Sequence, residues 1–310
     1  MAEKRIISLL PAATEIVCAL GLENQLVGRS HECDYPPAVK DLPVCSSVRL
    51  TGGLDSAAID REVKGLLSES LSIYTIDKEK IRELAPDVVL TQAQCEVCAV
   101  SLTEVEEALE GMLQKPAEVI SLQPDSLEDI FTEISRIATR LGVQARGEVL
   151  VEDLQERIEL IRHKLKFLDQ KPRVACIEWL SPLMVAGNWT PEMVAIAGGV
   201  SVLATSGKHS PSIDLEQLIS ADPEVIIIMP CGFAIERTLQ EISLLLSAPG
   251  WNEITAVKNN RVYIADGNHY FNRSGPRIVD SIEILAEIIN PKQFIFGFEG
   301  EGWVKFEMIS

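Results

Sequence analysis

Short apolar runs alternate with segments of helical periodicity along the whole chain. Arg5–Leu10 (RIISLL) has the pattern of a buried strand, and Pro11–Gly21 (PAATEIVCALG) follows with Pro in a first turn and Gly at its end, which predicts a helix. Further strands are predicted at Gln25–Arg29, at Asp87–Gln92 after the helix-like Lys78–Leu84, and at Val119–Leu122. A helix over Ser126–Leu141, with Ser126 as its N-cap, comes next. The same order then returns. Arg173–Ile177 reads as a strand, Pro191–Gly198 as a helix that again opens on Pro and stops at Gly, and Ser201–Ala204 as a short strand. Leu215–Ser220 reads as a helix, Ala221–Pro230 holds a strand, Arg261–Ile264 is another, and Pro276–Ile289 closes as a helix.

The stretch ADPEVIIIMP at 221–230 echoes APDVVLTQ at 85–92, with an acidic residue after Pro and then a β-branched run at the same place in each half. Between the halves, Val143–Leu168 has no Pro and carries apolar residues at helical spacing, so it reads as one long helix. Strands alternating with helices point to parallel α/β sheets. The expected architecture is therefore α/β with two similar lobes: an N-terminal lobe over 1–142, a linking backbone helix over 143–169 and a C-terminal lobe over 170–310.

Composition narrows the classes of function. The 310 residues are 46% hydrophobic and 24% charged, the balance of a folded globular chain. A formal net charge of -18 opposes binding to the phosphate backbone of nucleic acids, which relies on Lys and Arg displacing counterions. No apolar run is long enough to span a bilayer, so membrane insertion is not expected. The basic start and apolar Ile6–Leu10 resemble a secretion signal only superficially, since Pro11 and Glu15 interrupt the run. Seven cysteines, an odd number in a large chain, fit a reducing compartment better than a disulfide framework. A cytoplasmic location is expected, with the periplasm as the alternative.

Ligands of open parallel sheets sit outside the carboxyl ends of the strands. In the first half those ends carry Pro11 and Ala12, then His31, Cys33 and Asp34, then Gln92 and the QCEVC run with Cys95 and Cys98. In the second half they carry Glu178, Trp179, His209, Cys231 and Phe233, and then His269, Tyr270, Phe271 and Arg273. His31 and Cys33 together with Cys95 and Cys98 form a candidate set of soft ligands for zinc or iron. The plainer reading is that small cysteines pack in tight turns. Trp179 and Tyr270 offer apolar faces for a planar or macrocyclic ligand, whereas Trp251 and Trp189 read as core.

The opening ISLLPAATEIVCALG, DYPP at 34–37, APDVVLTQ at 85–92 and YFNRSGPRIVDSIEILA at 270–286 resemble the cobalamin-binding periplasmic proteins of ABC transporters. These belong to a wider helical-backbone group that also binds siderophores and haem. The resemblance spans nearly the whole chain and implies two α/β lobes joined by one helix, with the ligand in a cleft between them. Carried over by position, it implicates Pro11, Ala12, Asp34, Tyr35, Gln92, Tyr270, Phe271 and Arg273 in corrinoid contact. It also puts Glu104 and Glu236 where such proteins dock on transporter arginines. His31, Cys33, the CEVC loop and a segment around Leu54–Tyr74 depart from the family's usual pattern.

The leading expectation is thus a non-enzymatic binding protein for a corrinoid such as cobalamin, or another metal chelate, with an ABC permease as partner if it is exported. The alternative is an intracellular metal-ion binding or sensing protein using His31, Cys33, Cys95 and Cys98. A thiol-dependent enzyme has nothing behind it but the thiols, since the chain has no phosphate-binding glycine loop, dinucleotide fingerprint or GxSxG elbow.

Overall fold

The computed structural model describes residues 3–68, 73–92, 105–106, 109, 116–168 and 170–307. In chain order the first elements are β1 Ile6–Ser8, α1 Pro11–Ala19, β2 Leu26–Arg29, β3 Ser46–Val48, α2 Ser56–Ser68, β4 Tyr74–Ile76, α3 Lys78–Leu84, β5 Val88–Gln92, β6 Glu118–Leu122, α4 Leu127–Arg140 and α5 Gln144–Lys164. There follow β7 Arg173–Trp179, β8 Met184–Val185, α6 Thr190–Ile196, β9 Val200–Ser201, α7 Leu215–Ala221, β10 Val225–Ile228, α8 Ile235–Glu241, α9 Ser243–Leu246, α10 Thr255–Lys258, β11 Val262–Ala265, α11 Ile278–Ile289 and β12 Trp303–Lys305. The chain divides into two compact units, Met1–Leu54 with Arg61–Pro124 and Glu128–Asp153, and Asp55–Asp60 with Asp125–Leu127 and Leu154–Ser310.

The first unit is built on a parallel sheet in the order β2-β1-β5-β6. β1 and β5 are buried at every residue, as the central strands of a sheet covered on both faces must be, and each accordingly opens on an unalternating apolar run, Ile6–Ile7 and Val88–Leu90, before a polar end. β2 alternates buried and half-buried residues, in keeping with its edge position. Helix α3 starts where Asp77 accepts the backbone N–H of Lys80 at 2.9 Å, and it stops at Ala85, whose φ of 42° is left-handed. α4 and α5 approach so closely that a Cβ on Gly147 would meet the Cβ of Ala138.

The second unit centres on the parallel strands β7, β10 and β11, with β9 parallel to β7. Its two outer strands, β8 and β12, run antiparallel, which the expectation of purely parallel sheets omits. The duplicated plan reaches into backbone detail: α7, capped by an Asp214–Gln217 box, ends at Asp222 with φ 42° and ψ 62°, against 42° and 64° at Ala85. The strand expected over Ser201–Ala204 is instead Val200–Ser201, because Leu203 turns to φ 70° and leaves the sheet. The Leu54–Tyr74 segment contributes α2, and its end Tyr74 opens β4, which pairs antiparallel with β3.

Helix α11 is buried at every residue but Asp280, so its two glutamates need partners. Glu283 takes Arg157 of α5, at 2.7 Å and 2.9 Å, and the same guanidinium reaches Asp280 at 2.6 Å. Glu287 accepts the backbone N–H groups of Phe296, Gly297 (2.6 Å) and Phe298 (3.3 Å) and the indole N–H of Trp303 (2.9 Å). One carboxylate therefore fastens the C-terminal segment that leads into β12.

Candidate ligand-binding site

In the first unit the strand ends are tied together by short polar side chains. Thr14, on α1, donates to Ser8 Oγ at the end of β1 (2.8 Å) and contacts Cys33 Sγ at 3.0 Å. This thiol is buried at 1% exposure and also points to the carbonyl of Ser8 at 3.8 Å, so it stitches the loop after β2 to β1. His31 stands apart from it. Its Nδ1 lies 3.0 Å from Ser46 Oγ of β3, its ring meets that of Tyr74 in β4 at 5.6 Å, and its Nε2 is 4.0 Å from Glu32 Oε1. Tyr74 donates its hydroxyl to the same Glu32 oxygen at 3.2 Å. Burial, and then the Arg29 charge, push the His31 pKa below its ordinary value. The β3–β4 pair therefore backs the histidine loop, a support that sits 15 and 43 positions away in sequence and gives no local signal.

Pro11 and Asp34 are half-buried at these ends, Tyr35 is exposed, and Ala12 and Gln92 are buried. Cys95, Cys98 and Glu104 lie outside the described residues. Among the described residues no three His, Cys, Asp or Glu side chains gather as a metal site.

The second unit presents aromatic faces instead. Trp179 ends β7, donates its indole N–H to Ser181 O (3.0 Å) and meets the Phe233 ring at 5.3 Å, while Arg237 lies over Phe233 at 4.4 Å. Tyr270, half-buried, packs edge-on to Phe298 at 5.9 Å and carries Arg277 over its ring at 5.5 Å. Cys231 is exposed, and its backbone N–H donates to Glu178 O at 3.1 Å. His209 is exposed.

Two further residues expected to touch ligand are buried. Phe271 is 1% exposed with φ 64°, its ring within the core, its N–H on Ser281 Oγ (2.9 Å) and its carbonyl accepting Trp189 Nε1 at 2.7 Å. Arg273 is buried, with Nε donating to Asn268 O at 2.7 Å. Trp189 and Trp251 are buried, as the sequence leads one to expect.

Sequence reasoning passed over Asp266. Its Oδ2 holds His269 Nδ1 at 2.7 Å, and its Oδ1 accepts the backbone N–H of Asn268 and of His269, each at 2.9 Å. Burial alone would raise the Asp266 pKa, but these hydrogen bonds outweigh it and hold the carboxyl below its ordinary value. The Asp-x-x-His spacing was the available signal.

Glu178 behaves the other way. Burial raises its pKa above the ordinary 4.5, only partly offset by a hydrogen bond from Ser210 and the nearby His209. The folded state therefore holds this proton more tightly than the unfolded state does, and stability declines as pH rises through 4.5 towards the folded value. Glu178→Gln, which keeps the shape and removes the charge, is expected to raise Tm relative to the parent at about pH 8 and to lose that advantage towards about pH 4. Thermal melts of both proteins across that range check it, and a gain that grows on acidification would contradict the assignment.

The sequence profile of the periplasmic binding protein family matches residues 6–268. The chain is 25% identical over 299 residues to the uncharacterized ABC transporter substrate-binding lipoprotein YvrC of Bacillus subtilis, covering 94% of this chain and 81% of YvrC. It is 25% identical over 286 residues to the vitamin B12-binding protein of Vibrio parahaemolyticus, covering 92% of this chain and 88% of that one. A periplasmic heme binding protein from Pseudomonas aeruginosa superposes with a TM-score of 0.74 at 19% identity, covering 99% of each chain.

Proposed function

From the premise that this chain belongs to the periplasmic binding protein family, we propose that it is a non-enzymatic receptor for a large planar metal chelate, a corrinoid or a haem. The observation that carries the reading is the pair of aromatic faces at strand ends of the second unit: Trp179 after β7, packed on Phe233, and Tyr270 after β11, with the Arg277 guanidinium over its ring. A ring face stacks on the flat body of a macrocycle, and the Arg277 charge suits the amide oxygens or carboxylates at its rim. Relatives named for vitamin B12 and for heme fall in one chemical class, a metal held in a tetrapyrrole-type ring, which supports the coarser statement over either ligand alone. Membership implies an ABC permease as the partner that receives the ligand.

The alternative, capture of a bare ion by His31, Cys33, Cys95 and Cys98, is weakened by Cys33, whose thiol is committed beneath Thr14. Calorimetric titration with cyanocobalamin and, separately, with hemin tests the main reading. One of the two is expected to bind with one-to-one stoichiometry, and Trp179→Ala and Tyr270→Ala each to weaken it about tenfold, or ~1.4 kcal/mol. Heat and visible spectra unchanged with both compounds would remove the proposal.

A further inference from the structure

Beside β11 and α8 the second unit holds a pocket of about 450 Å³, within the usual range for small-molecule sites, whose walls include Asp266, His269, Tyr270 and Arg277. Its histidine has the setting of a metal ligand. An ionised carboxylate only accepts hydrogen bonds, so the 2.7 Å contact puts the proton of His269 on Nδ1 and leaves Nε2 as the nitrogen with a lone pair. Asn268 Nδ2, a donor, lies 3.5 Å from Nε2, which agrees with that tautomer. The carboxylate is itself fixed by two backbone N–H groups, so the ring is aimed by a support that is mostly buried. An acceptor behind Nδ1 both orients an imidazole and makes its other nitrogen a stronger ligand.

The surroundings select the kind of metal. Glu236 and Glu301 also line the pocket and favour a cationic centre. Among the described residues no three-ligand group exists, so a bare ion would lack its coordination set, whereas a chelated ion brings its own in-plane donors and lacks only an axial one. We propose that His269 is the residue that coordinates the ligand's metal, through Nε2, with Asp266 as its positioning residue. This rests on the chelate-receptor reading above and assigns the coordinating atom. In the step, the long Asn268 contact to Nε2 is released and the Nε2–metal bond forms as a metal–water bond breaks, and the water leaves to solvent. If the imidazole is protonated beforehand, its Nε2 proton goes to solvent as well.

The test uses ferric hemin and diaquocobinamide, each with axial positions open to exchange, added to the full chain. Wild type is expected to give the absorption signature of nitrogen coordination with at least one of them, accompanied by the electron paramagnetic resonance signature where that one is hemin. His269→Ala should still bind, as read by tryptophan quenching, but should lose that signature, and added free imidazole should restore it. His269→Gln, closer in shape, repeats the measurement should the alanine variant fold poorly. Asp266→Asn should keep coordination but weaken it roughly 10- to 100-fold. His31→Ala should leave the signature intact. Coordination that survives His269→Ala, or that imidazole does not restore, overturns the assignment while the receptor reading stands. Failure of wild type to bind either compound removes both.

Discussion

Gly267→Ala is expected to cost roughly 3 kcal/mol or more. A Cβ at this position would collide with the carbonyl oxygen of Pro230 and would sit 2.6 Å from the carbonyl oxygen and 2.7 Å from the carbonyl carbon of Met229. These are main-chain atoms of the segment leaving β10, so no rotamer change clears the space. Nor is Gly267 free to shift, since its N–H donates to Phe233 O (3.0 Å) and its carbonyl accepts Gly232 N–H (3.2 Å) and Asn272 Nδ2 (3.0 Å). The same displacement would disturb the turn that carries Asp266 and His269. Urea melts read the outcome as a lower midpoint, or as absence of folded protein. Gly232→Ala is the control: its φ of 75° strains a side chain but nothing lies within 4 Å, so the expected cost is only about 1–2 kcal/mol. Equal losses at the two positions would mean that the clash at Gly267 is relieved by slack in the backbone.

Trp251→Ala is expected to lose about 3–5 kcal/mol, the range for deleting a large buried ring. Trp251 is fully buried in the cluster formed with Leu218, Ile226, Ile254 and Val257, where the β10–β11 face meets the helices beneath it. Packing, and not polarity, holds the ring there, because its indole N–H has no hydrogen-bond partner among the described residues. Trp251→Phe should therefore recover most of the loss: it leaves a smaller void and removes a buried donor that costs free energy where it is. Tm measured for both variants separates the two terms. A phenylalanine variant as unstable as the alanine one would show that the ring's full outline, and not its apolar area, is what the core requires.

Much of the fold was legible because parallel strands write themselves plainly. VIII in β10 and VVL in β5 are continuous apolar runs bounded by Pro and a polar end, and such runs have few other uses. Antiparallel edges were not legible. β12 is three residues whose partner β11 lies some forty positions earlier, and β3–β4 spans a helix, so neither has a local turn signature. At the candidate site, strand ends pointed to Trp179 and Tyr270 as ligand-facing aromatic residues, and both are half-buried there. Phe271, next in sequence, goes inward because its backbone turns left-handed, which a non-glycine residue does not announce. Cys33 reads as a ligand by its spacing from His31, while its contact to Thr14, a residue on another element, has no local signal in the sequence. What the sequence could not supply was the partner on the far side of each side chain.

The four hydrogen bonds gathered by Glu287 bear on how the chain end opens. Terminal segments ordinarily fray at little cost, ahead of the body of a domain. Here the segment from Phe296 to Trp303 shares its acceptor with a helix buried on nearly every side, and β12 adds main-chain pairing to β11. Opening the tail would strand a carboxylate inside the protein, a penalty far above that of losing a few exposed contacts. β12 and α11 therefore open together or not at all, and the segment from Phe296 to Lys305 inherits the slow amide exchange of the core beneath it.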